Sequence, residues 1–198
     1  MENLKKLKNR VLSAVNVAKS NFPVADVVEK IKTDADALVG RMTKDNFIKI
    51  PFVGDFNSGK SSLLNTYMGR DILPTNILPE TAVAYELYYA EDEKLELYSE
   101  GVLKETKCSL SQIKEFRVSP GDVVYVYINN EKIRRLNDRG IVLVDMPGID
   151  SGIEAHNNAI LNYIREGSVF MMFTDTEQAT FRSSAISFIR EIQQYGLS

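Results

Sequence analysis

The sequence predicts an α/β domain of three layers, αβα, with a mixed, mostly parallel sheet, preceded by an N-terminal helical hairpin. Three observations carry this expectation. Short apolar runs alternate with stretches of helical period. The run formed by Phe47, Ile48, Ile50, Pro51, Phe52 and Val53 feeds a glycine-rich turn and then a helix, the order of a buried parallel strand and its crossover. A second apolar run, Ile141 to Val144, ends in a carboxylate, Asp145.

From the N-terminus, Leu4, Leu7, Val11, Val15, Ala18 and Phe22 form a helical stripe with lysines and asparagines between them. Pro23 fits the first turn of a second helix, where Val24, Val27, Val28, Ile31, Ala35, Leu38, Val39 and Met42 keep the spacing. Residues 1–44 are therefore expected to form the hairpin and 45–198 the α/β domain. The stripe is read as core packing, with a membrane or partner surface as the other reading. Ser62 to Met68 reads as a helix stopping near Gly69, and Asp71 to Glu80, with Pro74 and Pro79, as an irregular connection. Ala82 to Ala90 and Leu95 to Tyr98 read as strands joined in a hairpin by the charged Glu91 to Lys94. Asp122 to Ile128, Ile141 to Val144 and Val169 to Phe173 read as further strands, and Ser183 to Ile192 as a helix.

Composition sets bounds on function. At 198 residues and 44% hydrophobic content the chain can bury one sizeable core. A net charge of -3 gives no field that would attract nucleic acid. The lone Cys108 fits a reducing compartment, so the chain is read as cytoplasmic, and it lacks a run of about 20 apolar residues that could span a bilayer. Peripheral membrane contact stays open.

GDFNSGKS, Gly54 to Ser61, fits the phosphate-binding pattern G-x-x-x-x-G-K-S/T, with a strand before it and a helix after it. Gly54 and Gly59 permit backbone angles and close approach that a side chain would block, so successive N–H groups, including those of Asn57 and Ser58, can turn inward around a phosphate at the positive end of the following helix. Lys60 is expected to reach the β- and γ-phosphates, Ser61 to ligate Mg²⁺ and Ser62 to contact the α-phosphate. DMPG, Asp145 to Gly148, adds a carboxylate at the carboxyl end of a buried strand, where ligands of open α/β sheets bind. Asp145 there can hold Mg²⁺ through water, and the Gly148 N–H can meet the γ-phosphate. In the connection DILPTNILPET, Thr81 is the expected hydroxyl closing over Mg²⁺ and the γ-phosphate, with Thr75 as runner-up.

Taken together, IPFVGDFNSGKSSLLN, LPTNILPETA and IVLVDMPGI resemble the large GTPases of the dynamin superfamily, and the preceding helices resemble those of its bacterial dynamin-like members. The resemblance implies GTP as substrate, GDP and phosphate as products, Mg²⁺ as cofactor, pairing of GTPase domains in a homodimer, and self-association on membranes. It also implies catalytic roles for Lys60, Thr81 and Asn57, the last at the family's transition-state-stabilising position. The chain departs from the pattern in carrying Phe56 where dynamins proper have Gln. The guanine-reading Asn/Thr-Lys-x-Asp motif, expected after the helix at Ser183 to Ile192, does not occur before Ser198. The chain is thus expected to be the front part of a GTPase domain, weak or inactive alone.

Two rival readings stand beside hydrolysis: a nucleotide-gated scaffold that turns over negligibly, and an ATP-using P-loop protein, disfavoured by D-x-P-G and Thr81. His156 is read as a surface residue near a helix start, Cys108 as inert, and Glu177 and Gln178 as the polar end of a strand.

Overall fold

The computed structural model of the chain describes residues 47–75, 82–149, 154–166, 169–174 and 183–194. The expected hairpin over 1–44, Thr81, Glu177 and Gln178 lie outside them. The described strands are β1 (Ile48–Gly54), β2 (Ala84–Tyr89), β3 (Lys94–Ser99), β4 (Val102–Lys107), β5 (Val123–Ile128), β6 (Ile141–Asp145) and β7 (Met171–Phe173). The helices are α1 (Lys60–Met68), α2 (Glu131–Asn137), α3 (Glu154–Glu166) and α4 (Ser183–Gln194).

The strands form one mixed sheet in the order β4-β3-β5-β2-β6-β1-β7. β1 runs parallel to both β6 and β7, and its second half, Pro51 to Gly54, is buried, which explains the apolar run there. β2 is parallel to β5 and antiparallel to β6.

Alternation along the strands assigns the layers. On one face Tyr85, Leu87, Val124, Val126 and Ile128 join Leu64 and Met68 of α1 and Ile133 of α2 in the main apolar core. On the other face Tyr163 of α3 hydrogen-bonds Glu86 of β2. The helices therefore lie on both sides of the sheet, as the sequence predicts.

Local chemistry fixes the element ends. α1 stops at Gly69, whose φ of 71° supplies the left-handed C-terminal cap. The side chain of Asn130 accepts from the N–H groups of Lys132 and Ile133 and so starts α2. Asn65 of α1, buried, accepts from the N–H groups of Ile72 (3.1 Å) and Leu73 (2.8 Å) and donates to the Leu73 carbonyl (2.8 Å). It thereby fastens the start of the proline-flanked connection to the helix that follows the glycine-rich loop.

One expectation fails. β2 and β3 do not pair as a hairpin, because β5 lies between them and pairs with both. The segment between β2 and β3 instead caps the end of β5: Ala90 N–H donates to Ile128 O (3.2 Å), Asn129 N–H to the Glu93 carboxylate (3.1 Å), and Arg70 forms an ion pair with the same carboxylate. The hairpin of this region is β3-β4, turned by Glu100 (φ 50°) and Gly101 (φ 77°), a two-residue loop with both residues left-handed.

Candidate nucleotide-binding site

The end of β1, the first turn of α1 and the end of β6 converge on a cleft of about 360 Å³. Its lining includes Asn57, Gly59, Lys60, Ser61, Ser62, Asp145 and Gly148, together with Thr75, Ala82, Val83 and Tyr85.

The two glycines serve different ends. A Cβ on Gly54 would stand 2.3 Å from the Phe173 carbonyl oxygen of β7, so this position is closed to side chains by the parallel neighbour. Gly59 has open space around it but a φ of 88°, and Asn57 has a φ of 62°, so the loop owes its curl to these two left-handed residues. No side chain caps α1, which leaves its first N–H groups and the positive end of the helix for an anion.

Buried Lys60 folds along the loop, its Nζ donating to the carbonyls of Asp55 (2.7 Å) and Gly54 (3.0 Å) and to Ser58 Oγ (3.3 Å). Ser61 Oγ donates to Asp145 Oδ2 at 2.6 Å, joining the glycine-rich loop to the D-x-P-G segment across 84 residues of sequence. Asp145 Oδ1 is buried and has no hydrogen-bond partner among the described residues. Burial raises the Asp145 carboxyl to about 6, against the lowering effects of the Ser61 hydrogen bond and the Lys60 charge. Burial, then the nearby Asp145 charge, also keeps the Tyr85 phenol protonated.

A hydroxyl and a carboxylate side by side, one oxygen unsatisfied, fit a hard cation that keeps most of its shell from water and phosphate, as Mg²⁺ does. Among the described residues no group of three or more His, Cys, Asp and Glu converges that would suit a cation caged by protein alone.

The structure brings Asn57, Ser58, Gly59, Lys60, Ser61, Ser62, Asp145 and Gly148 together around one cleft, and Thr75, the runner-up, joins the lining. His156 corrects the reading of a surface residue. It lies near the start of α3, as expected, but has no exposed surface. Its polar neighbours misled, whereas its spacing to Ile160, Tyr163 and Ile164, all buried, marks it as part of the inward stripe. Nothing local in the sequence distinguishes Asn65, Ala82 and Tyr85 from helix or strand filler. Cys108 is exposed and free.

Comparison with known proteins identifies the family and the fold. The model of the dynamin family matches residues 50–198. Dynamin-like protein 2 of Campylobacter jejuni is 38% identical over 72 residues, covering 36% of this chain and 12% of that protein. The bacterial dynamin-like protein of Nostoc punctiforme is 23% identical over 171 residues, covering 71% of this chain and 24% of that protein. A solved structure of an oligomerised bacterial dynamin pair, described as providing a mechanism for the long range sensing and tethering of membranes, has a TM-score of 0.50 at 21% identity and covers 82% of this chain and 26% of that chain. The chain thus spans well under half the length of the curated relatives it matches. The fold is the α/β fold of P-loop NTPases, and with the family match extending over both the glycine-rich loop and the D-x-P-G segment, the chain belongs to the dynamin family.

Proposed function

We propose that the chain binds GTP with Mg²⁺ in this cleft and hydrolyses it to GDP and phosphate, as part of a protein that self-associates through its GTPase domain in a nucleotide-dependent way. The observation that carries the reading is the Ser61–Asp145 hydrogen bond at 2.6 Å beside a buried, unsatisfied Asp145 Oδ1, at the mouth of the glycine-rich loop. Guanine as the base rests on family membership.

In this reading the N–H groups from Asn57 to Ser61 cradle the β-phosphate, with Gly54 allowing the close approach and Ser62 meeting the α-phosphate. Lys60 exchanges its loop carbonyls for phosphate oxygens, and Gly148 N–H meets the γ-phosphate. Ser61, Thr81 and Asp145 would hold Mg²⁺, Asp145 through water. When bound, the ion neutralises charge on the β- and γ-phosphate oxygens.

Hydrolysis also needs a group that orients the attacking water. Ile149, directly after D-x-P-G, is buried and can neither donate nor accept a hydrogen bond, and the same is true of the half-buried Phe56 side chain. Asn57 offers an amide but is exposed, so a partner domain facing the nucleotide is proposed to order it. The parts assembled here accordingly predict low basal activity that rises with clustering. Residues 1–44 are proposed as a separate helical element, and the protein as cytoplasmic or peripheral to a membrane it helps remodel. None of the described helices is long and apolar enough to cross one.

Phosphate release from GTP by the natural full-length protein, followed over a hundredfold range of concentration, tests the proposal. Specific activity should rise with concentration or on anionic vesicles. Flat activity with a monomeric protein in a transition-state analogue would refute the pairing. One tightly held nucleotide without phosphate release would favour the nucleotide-gated scaffold, to which Ile149 lends support.

A further inference from the structure

One side chain joins a wall of the cleft to α3, the helix that follows D-x-P-G in the sequence. Ala82 and Val83, ahead of β2, form one wall, and Asp145 to Gly148, after β6, form another. Ladder pairing of β2 with β5 begins at Ala84↔Val123, so sheet register does not by itself place Ala82. Next to the second wall, the Ile149 N–H donates to Gly54 O at 3.2 Å, and α3 begins five residues later at Glu154. In the first turn of α3, His156 is fully buried and its ring is hydrogen-bonded to the backbone of Ala82. That bond favours the protonated ring, which identifies the Ala82 carbonyl as the acceptor and the imidazole N–H as the donor.

An apolar side chain at this point of the α3 stripe would fill the space without burying polar atoms. The imidazole adds what a phenyl or isobutyl group could not: a directed bond to a backbone carbonyl of the cleft wall at Ala82. We propose that His156 is a positioning residue that holds the Ala82–Val83 wall to the helix following D-x-P-G and so keeps the two walls at the spacing a bound nucleoside triphosphate requires. The proposal rests on the nucleotide reading given above. It assigns His156 no contact with the reacting atoms. Burial also lowers the pKa of the imidazole, against the Ala82 bond, which suits a neutral donor at physiological pH.

The test compares the natural protein with His156→Phe, which keeps the ring and loses the donor, and His156→Asn, which keeps an N–H donor on a shorter side chain. Hydrogen exchange is measured without nucleotide over the peptide containing Ala82 to Ala84, and steady-state GTP hydrolysis is measured alongside. His156→Phe should speed exchange there by about fivefold to tenfold, the loss of one net hydrogen bond. It should lower kcat by a similar factor while changing KM less than twofold, and His156→Asn should recover most of both. Exchange unchanged in His156→Phe, or His156→Asn no better than His156→Phe, would overturn the proposal. If the natural protein binds no GTP while the exchange response persists, the His156–Ala82 tie is upheld and the nucleotide reading alone fails.

Discussion

Asp145 and Glu86 are buried carboxylates on neighbouring antiparallel strands, where Tyr85 is registered with Asp145 and Glu86 with Val144. Their surroundings differ. Glu86 receives the Lys49 ammonium at 3.0 Å, the Tyr88 hydroxyl at 2.5 Å and the Tyr163 hydroxyl, and Lys49 also lies over the Tyr163 ring. Asp145 has one bonded oxygen and one bare one, and its carboxyl is pushed up to about 6 by burial. A carboxylate fully supplied by its own fold is a structural member, whereas one left half supplied in a cleft is poised for something the fold does not contain.

Truncation of Glu86 should give the largest effect. Glu86→Ala strands Lys49, only 14% exposed, and two tyrosine hydroxyls, and should cost about 4 kcal/mol in urea unfolding, the usual size for breaking a buried pair from one side. Nucleotide affinity of the folded fraction should be unaltered. A loss below about 1 kcal/mol would mean the network is solvated and the contrast with Asp145 is false.

Asp145→Asn should act in the opposite direction. Because the folded carboxyl titrates near 6 and its unfolded value is 3.8, the native state binds more protons between those values, and stability falls as pH rises through them. Above pH 6 the ionised group costs about 3 kcal/mol, at about 1.4 kcal/mol per pH unit. Without Mg²⁺ and nucleotide, Asp145→Asn should therefore be more stable than the natural protein at pH 8, by up to that amount, with the difference vanishing below about pH 4. Its Mg²⁺-dependent turnover should be lost. Equal stability at pH 8 would show that Asp145 is not held at a cost.

How much of this contrast could be read in the sequence depended on whether the relevant contacts are local. Gly54 to Ser61 and Asp145 to Gly148 were legible because strand, turn and helix signals adjoin the chemistry in one short stretch. The partnering of Glu86 was not, since Lys49 and Tyr163 come from β1 and α3. The β2-β3 hairpin was misread for the same reason: a charged turn between two strands looks local, and only the insertion of β5 decides the pairing. β4, Val102–Lys107, is largely exposed and turns on Glu-Gly, so it shows neither an apolar face nor the usual Asn-Gly or Asp-Gly signal. The polar neighbours of His156 in sequence point to the surface, whereas its helical spacing to Ile160, Tyr163 and Ile164 points inward.

Asn65→Ala should have the smallest effect of the series. It leaves the N–H groups of Ile72 and Leu73 and the Leu73 carbonyl without their partner, for a loss of about 2 kcal/mol in denaturant unfolding. Exchange should rise over 70–75 before it rises in the sheet, and a uniform rise would argue against a local clamp.

Lys60, Ser61 and Asp145 are proposed to form a phosphate and magnesium site. Calorimetric titration of GTP into the natural full-length protein, Lys60→Ala and Asp145→Ala, each with Mg²⁺ and with EDTA, tests it most directly. The natural protein should bind more tightly with Mg²⁺. Lys60→Ala should lose about a hundredfold or more in both conditions, as expected for deleting a cation aimed at phosphate. Asp145→Ala should retain binding in EDTA and lose the gain from Mg²⁺. Unchanged affinity in a folded Lys60→Ala, or an Mg²⁺ dependence that survives Asp145→Ala, would rule such a site out.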